Sequence, residues 1–217
     1  MSRTPGLFIV LEGGEGVGKT TQARRLADWM QSRGIPHTLA REPGGTRVGE
    51  AIRSVLLDQK ELSMPSETEL LLMLAARAAF VQEVVRPALE AGEVMLSDRF
   101  ECSTFVYQGL GRGLGLDRVR EMNTFATGGV TPDLTLVLDL PTQVALRRQA
   151  VAGKVADRIE GEGASFLERV GEGYRTLAAE DPRAVLVDAQ GDPDQVQLRL
   201  QGLLTERFPE PFRPSQG

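Results

Sequence analysis

Residues 7–21 read Leu-Phe-Ile-Val-Leu-Glu-Gly-Gly-Glu-Gly-Val-Gly-Lys-Thr-Thr, and this stretch decides the fold. The apolar run Leu7–Leu11 has the length of a strand buried on both faces. Gly13 then opens a G-x-x-x-x-G-K-T loop closed by Gly18, Lys19 and Thr20, and a helical pattern starts straight after it. Strand before and helix after is the setting that a phosphate-binding P-loop requires. The glycines let backbone N–H groups curl around a phosphate, a conformation that a Cβ would obstruct. Lys19 adds positive charge against the terminal phosphates, and the Thr20 hydroxyl is placed for Mg²⁺. The following helix points its positive N-terminal end at the same anion.

Outward from the loop, strands and helices alternate. Ala23, Leu26, Ala27 and Met30 carry the first helix to Gly34. Further strands are expected at 37–40, Val94–Leu96, Leu134–Leu140 and Val185–Val187. Helices are expected at 47–58, from about 65 to 91, at 101–108 and 116–127, from Pro141, and at about 165–179 and 193–207. Pro65-Ser66-Glu67-Thr68-Glu69 reads as a capping box, with Ser66 as cap and Glu69 as its partner. Gly109 to Gly115 reads as a glycine-rich loop. The alternation predicts an α/β fold, a five-stranded parallel sheet with helices on both faces. One domain is expected over 1–208, with a flexible tail at 209–217.

Composition narrows the function. The 217 residues carry a net charge of −5, which argues against a general surface for polymeric nucleic acid. An anionic ligand must therefore be met by local arginine clusters. The single cysteine, Cys102, allows no intrachain disulfide and no cysteine metal cage, and is expected to be a packing residue. His37, the sole histidine, is assigned no role. With no long apolar run and no apolar signal core, the expected location is cytoplasmic, away from membranes.

Ligands of such a sheet bind at the carboxyl ends of its strands. Those ends carry the P-loop, then Arg41-Glu42-Pro43-Gly44, Asp98-Arg99, and Asp139. Cations and carboxylates on one rim suit two phosphate groups with Mg²⁺ between them. A GTPase would need N-K-x-D, but the only asparagine is Asn123, in N-T-F-A. Asp188-Ala189-Gln190-Gly191 matches D-x-x-G, yet it lies about 170 residues after the P-loop and reads as a turn.

Seven short motifs in order resemble the thymidylate kinase family across about residues 7–205. They are the P-loop with an acid inside it, R-E-P-G-G at 41–45, A-A-R at 75–77, S-D-R-F at 97–100, Y-Q-G at 107–109, P-D-L-T at 132–135 and D-R-I-E at 157–160. The resemblance implies a nucleoside monophosphate kinase fold and transfer of the ATP γ-phosphate to dTMP, in dTTP biosynthesis. It implies that Gly13, Gly14, Glu15, Gly16, Val17, Gly18, Lys19, Thr20 and Thr21 bind ATP, and that Thr20 and Asp98 bind Mg²⁺. Arg41, Arg53 and Arg99 would grip the dTMP phosphate, as guanidinium groups do in a bidentate way. Arg77 would meet the thymine carbonyl, Thr104 and Gln108 the base and ribose, Tyr107 the C2′ face, and Glu15 the sugar 3′-OH. Members of this family with glutamate in the P-loop draw a catalytic cation from a lid, here about 147–163. The family also forms homodimers, and the apolar run Leu70–Leu74 suits such an interface.

Two departures stand out. Met73 sits where relatives carry a phenylalanine stacked on thymine, and a thioether covers a ring less rigidly. The lid lacks arginines near 150–152, leaving Lys154 and Arg158 as candidates and Arg148 third. Catalysis would thus rest on Lys19, Arg99, Glu15, Lys154 and Arg158. Two rival readings remain: a kinase for another monophosphate, and a P-loop ATPase that changes partners on hydrolysis. The loop near Ala189 to Pro193 is the expected adenine contact.

Overall fold

A computed structural model of the chain describes residues 6–59, 62–151, 153, 158 and 163–212. Five strands, β1 (Leu7–Glu12), β2 (His37–Arg41), β3 (Val94–Asp98), β4 (Leu134–Asp139) and β5 (Ala184–Asp188), form one sheet in the order β2-β3-β1-β4-β5. Every neighbouring pair is parallel, so each connection must cross back over a face. Successive residues of β1 serve opposite layers, as strand geometry demands. Ile9 and Leu11 pack with Leu26 and Met30 of α1 (Lys19–Ser32) and Leu200 and Leu204 of α9 (Pro193–Arg207). Phe8 and Val10 pack on the other face with Phe80, Val85 and Phe100. β1 is the axis of the molecule, and the P-loop leaves its carboxyl end.

Three helical stretches contain a wide π-helical turn. One, at Ser54–Asp58, follows α2 (Arg47–Arg53); another, at Val81–Val85, links α3 (Ser66–Phe80) to α4 (Arg86–Ala91). The last, at Phe105–Gly111, follows α5 (Glu101–Thr104) and extends helical backbone into the segment expected to be a glycine-rich loop. Such turns often mark functional segments, and this one carries Tyr107 and Gln108. α6 (Leu116–Thr127), α7 (Thr142–Val151) and α8 (Ala164–Glu180) complete the layers.

Two local expectations are corrected. α3 begins after Pro65 as N-cap, without a side-chain cap, and Glu69 makes no capping box. Its carboxylate is instead taken by Gln108, Arg112 and Arg158. The tail is not loose throughout 209–217: Pro209–Phe212 forms a short helix, α10, whose Phe212 ring is 0% exposed and stacks on Trp29. Arg33 secures it by donating to the Phe212 carbonyl. Positions 213–217 lie outside the described residues, as does most of the segment expected to be the lid.

Candidate functional site

Parallel register brings the strand ends level. Leu11 and Arg41 both pair with Asp98, so the P-loop, the Arg41 segment and Asp98-Arg99 share one rim. Over that rim lies a cavity of about 600 Å³. Its wall includes Glu15 through Thr21, Arg41, Arg53, Met73, Arg77, Asp98, Arg99, Thr104, Tyr107 and Gln108, nearly the whole set drawn from the sequence. The three arginines expected to hold a phosphate thus share the cavity with Lys19. Gly13 and Gly14 do not line it, but their carbonyls accept from Lys19 Nζ at 3.1 and 2.6 Å. At Gly13, φ is +134° and a Cβ would fall 2.5 Å from the Leu138 carbonyl oxygen, so glycine is needed for P-loop and β4 to pass this closely.

Glu12 at the end of β1 is 0% exposed and organises the floor. It accepts from the backbone N–H groups of Phe100 and Ser103 at 2.8 and 3.0 Å, and from the hydroxyls of Ser103 and Tyr174 at 2.6 and 3.0 Å. Arg99 Nη1 in turn donates to those two hydroxyls and to the Gly13 carbonyl, while Nη2 meets the Glu15 carboxylate. Its backbone has φ +77°, the only positive value at a non-glycine among the described residues. Leu11 and Ser97 hold that conformation by hydrogen bonds to the Arg99 N–H and carbonyl. Strain of this kind persists where surroundings over-determine it, commonly at sites of chemistry. Burial pushes the Tyr174 hydroxyl well above its ordinary range, with the Glu12 charge adding to the effect, so it stays a neutral donor.

Arg77, expected to meet the thymine carbonyl, is 3% exposed. It donates to Glu42 at 2.9 Å, to Asn123 at 2.8 Å and to the Phe100 carbonyl at 2.8 Å. Asn123 passes the chain on to Glu101 at 2.8 Å. Burial pushes the Glu42 carboxyl up to about 7, against the pull of Arg77, and Glu12 and Glu101 reinforce the rise. Burial also raises Glu101. Arg41 pairs with Glu50 at 3.1 Å, and Arg53 donates to the Pro43 carbonyl at 2.9 Å. The Glu50 carboxyl is lowered, first by the Gly45 N–H and further by Arg41.

Thr20 donates to Asp98 at 2.6 Å, which joins the two expected Mg²⁺ residues directly. The lid candidates divide. Lys154 lies outside the described residues. Arg158 does not line the cavity but binds the Leu56 carbonyl and Glu69. Arg148 does line it, and holds the carbonyls of Ala189 and Gly191 at 3.1 Å each. Gly191, Pro193 and Val196 close that end, where the adenine contact is expected. D-x-x-G here is a turn: Asp188 accepts from the Gln190 N–H at 2.9 Å. Asp139 is taken up by Arg175 at 3.0 Å.

Sequence reasoning missed Glu12, Ser103, Tyr174, Glu42 as a buried group, Asn123 and Glu69. One signal was present for Glu12: a charged residue closes an otherwise apolar strand with no solvent-facing alternation.

The family model described as thymidylate kinase matches residues 11–200. A thymidylate kinase of Pseudomonas fluorescens is 50% identical over 202 residues, 93% of this chain and 96% of that protein. One of Desulforudis audaxviator is 49% identical over 208 residues, 93% of each chain. The crystal structure of thymidylate kinase from Ehrlichia chaffeensis superposes with a TM-score of 0.74 at 26% identity, covering 92% of this chain and 99% of that one.

Proposed function

The chain belongs to the thymidylate kinase family and is a kinase that makes dTDP and ADP from dTMP and ATP; we propose that the two nucleotides meet phosphate to phosphate in the cavity over the P-loop. The observation that carries this arrangement is the convergence of Lys19, Arg41, Arg53 and Arg99 on one cavity of about 600 Å³ in an acidic chain. ATP lies along Gly13–Thr21 toward the Arg148 and Gly191 end. dTMP lies toward Met73, Arg77, Thr104, Tyr107 and Gln108, with its phosphate against Arg41, Arg53 and Arg99.

Phosphoryl transfer asks the protein for in-line positioning and for charge around the moving oxygens, rather than for a strong base. Lys19 and the P-loop N–H groups hold the donor phosphates. Arg99, set by Glu12, Ser103 and Tyr174, is aimed at the meeting point, and Glu15 takes the sugar 3′-OH once dTMP draws Arg99 toward its phosphate. The Thr20–Asp98 pair suits Mg²⁺, a hard cation that takes few carboxylates alongside phosphate oxygens and water. Bound there, Mg²⁺ would neutralise charge on the donor phosphates. A lid over about 147–163 would supply a further cation, with Lys154 the foremost candidate because Arg158 is engaged by Glu69.

The chain is proposed to work as one domain in the cytoplasm. Among the described residues no helix is long and apolar enough to cross a membrane. A homodimer through α3 and α6 is supported by Leu71, 55% exposed, and Phe125, 91% exposed, on two helices that pack together. Coupled ADP release across a panel of monophosphates tests the whole reading. The expected outcome is a strong dependence on dTMP; ATP consumption indifferent to any monophosphate would favour the ATPase instead.

A further inference from the structure

Gln108 lines the cavity, yet its amide is not free to turn. Its Nε2 donates to Glu69 Oε1 at 2.8 Å. Glu69, on α3, is 1% exposed, and the carboxylate also accepts twice from Arg112 at 3.2 Å and once from Arg158. Burial alone would raise this carboxyl, but Gln108 and the two guanidinium groups outweigh it and hold it below the ordinary range. An ionised carboxylate only accepts hydrogen bonds. One N–H of Gln108 is therefore committed to Glu69, which sets the sense of the amide and leaves Oε1 as its acceptor end.

We propose that Glu69 is a positioning residue that sets the hydrogen-bonding polarity of the base-reading edge, so that the cavity selects a pyrimidine carrying a hydrogen on N3. Thymine and uracil present N3–H to the Gln108 carbonyl. Cytosine presents a bare lone pair, so two acceptors then face each other. Arg77, a donor on the same wall, adds to the choice by favouring a carbonyl over an amino group at C4. The inference rests on the proposed seat of dTMP beside Arg77 and Gln108. It also separates two selections: the N3 edge is read by Gln108, while the 5-methyl group that distinguishes thymine from uracil is not.

Steady-state kinetics with dTMP, dUMP and dCMP on the full chain test this, for the wild type, Glu69→Gln and Gln108→Leu. A glutamine at 69 can offer either end of its amide, which releases Gln108 to turn. The dTMP-to-dCMP preference in kcat/KM should fall by about tenfold or more, the worth of one well-placed hydrogen bond, mostly through KM. The dTMP-to-dUMP preference should stay as it was. A purely structural Glu69 would weaken all three substrates alike, and an unchanged dTMP-to-dCMP ratio overturns the inference. Should Glu69→Gln fail to fold, Gln108→Leu decides, since it deletes the amide and leaves Glu69 with both arginines. There too a preserved ratio overturns it, as does a wild type that takes dCMP as readily as dTMP. A wild type that phosphorylates none of the three overturns the kinase reading instead.

Discussion

Glu42 and Arg77 are buried together in the cavity wall, and the cost of that burial falls on the carboxylate. Its partner is 2.9 Å away, but Oε1 makes no hydrogen bond and the Glu12 and Glu101 carboxyls lie close enough to oppose its charge. With the carboxyl raised from 4.5 to about 7, the native state binds a proton that the unfolded chain has released throughout that window. Stability from this group is therefore complete below about pH 4.5 and is lost as pH rises through about 7. Urea unfolding of the wild type and Glu42→Gln at pH 5, 6, 7 and 8 checks this. The wild type should lose about 1–3 kcal/mol relative to the variant between the ends of that range. Parallel curves would mean that Arg77 keeps Glu42 charged throughout. The legible part here was the charge itself. That R-E-P-G-G would bury its glutamate depended on α3 bringing Arg77 from 35 residues away.

Elements meet at glycines and rings, and two contacts yield expectations. Gly16 has φ +75°, and a Cβ there would fall 2.5 Å from the Ala145 carbonyl oxygen and 3.0 Å from Gln149 Cγ, so the P-loop bears directly on α7. Gly16→Ala should push α7 off the loop and raise KM for ATP by about tenfold or more, because a shift near 1 Å is costly in a positioned site. KM for dTMP should change far less; an equal rise in both would place the damage elsewhere. At the other end of α1, Phe212→Ala removes a fully buried ring from Trp29. Such truncations cost about 3–5 kcal/mol. For a chain of this size, that lowers Tm by roughly 6–20 °C in a thermal melt. Activity at 25 °C should be unchanged, since Trp29 lies ten residues along α1 from Lys19, or about 15 Å. Strand and helix order were readable because short apolar runs and period-3.6 patterns are local. The π-helical turns and the docking of α10 were not, because each is stabilised only by neighbours distant in sequence.

At the scale of the molecule, the cavity joins residues from β2, β3, α1, α2, α3, α5, α7 and α9 and from the loops after β1 and β5. A ligand that fills it ties both ends of the fold together and binds only the native state. dTMP at about a hundred times its Kd should add about 2.7 kcal/mol. That is a rise in Tm of roughly 5–10 °C in a thermal shift assay, and dCMP at the same concentration should give much less. An equal shift from both would contradict selection at N3. The sequence by itself determined the P-loop, the alternation that makes the sheet parallel, and the family, because each is written in short spans whose physics is local. It also named most of the cavity wall, since strand ends in such a sheet converge on one rim whatever the surrounding detail. Only the tertiary structure decided that Glu12 holds the two hydroxyls that meet Arg99, that Glu69 accepts from Gln108 and that Arg158 is held by Glu69. Those are choices among partners for a buried charge, and desolvation makes the choice only once the partners have been brought together.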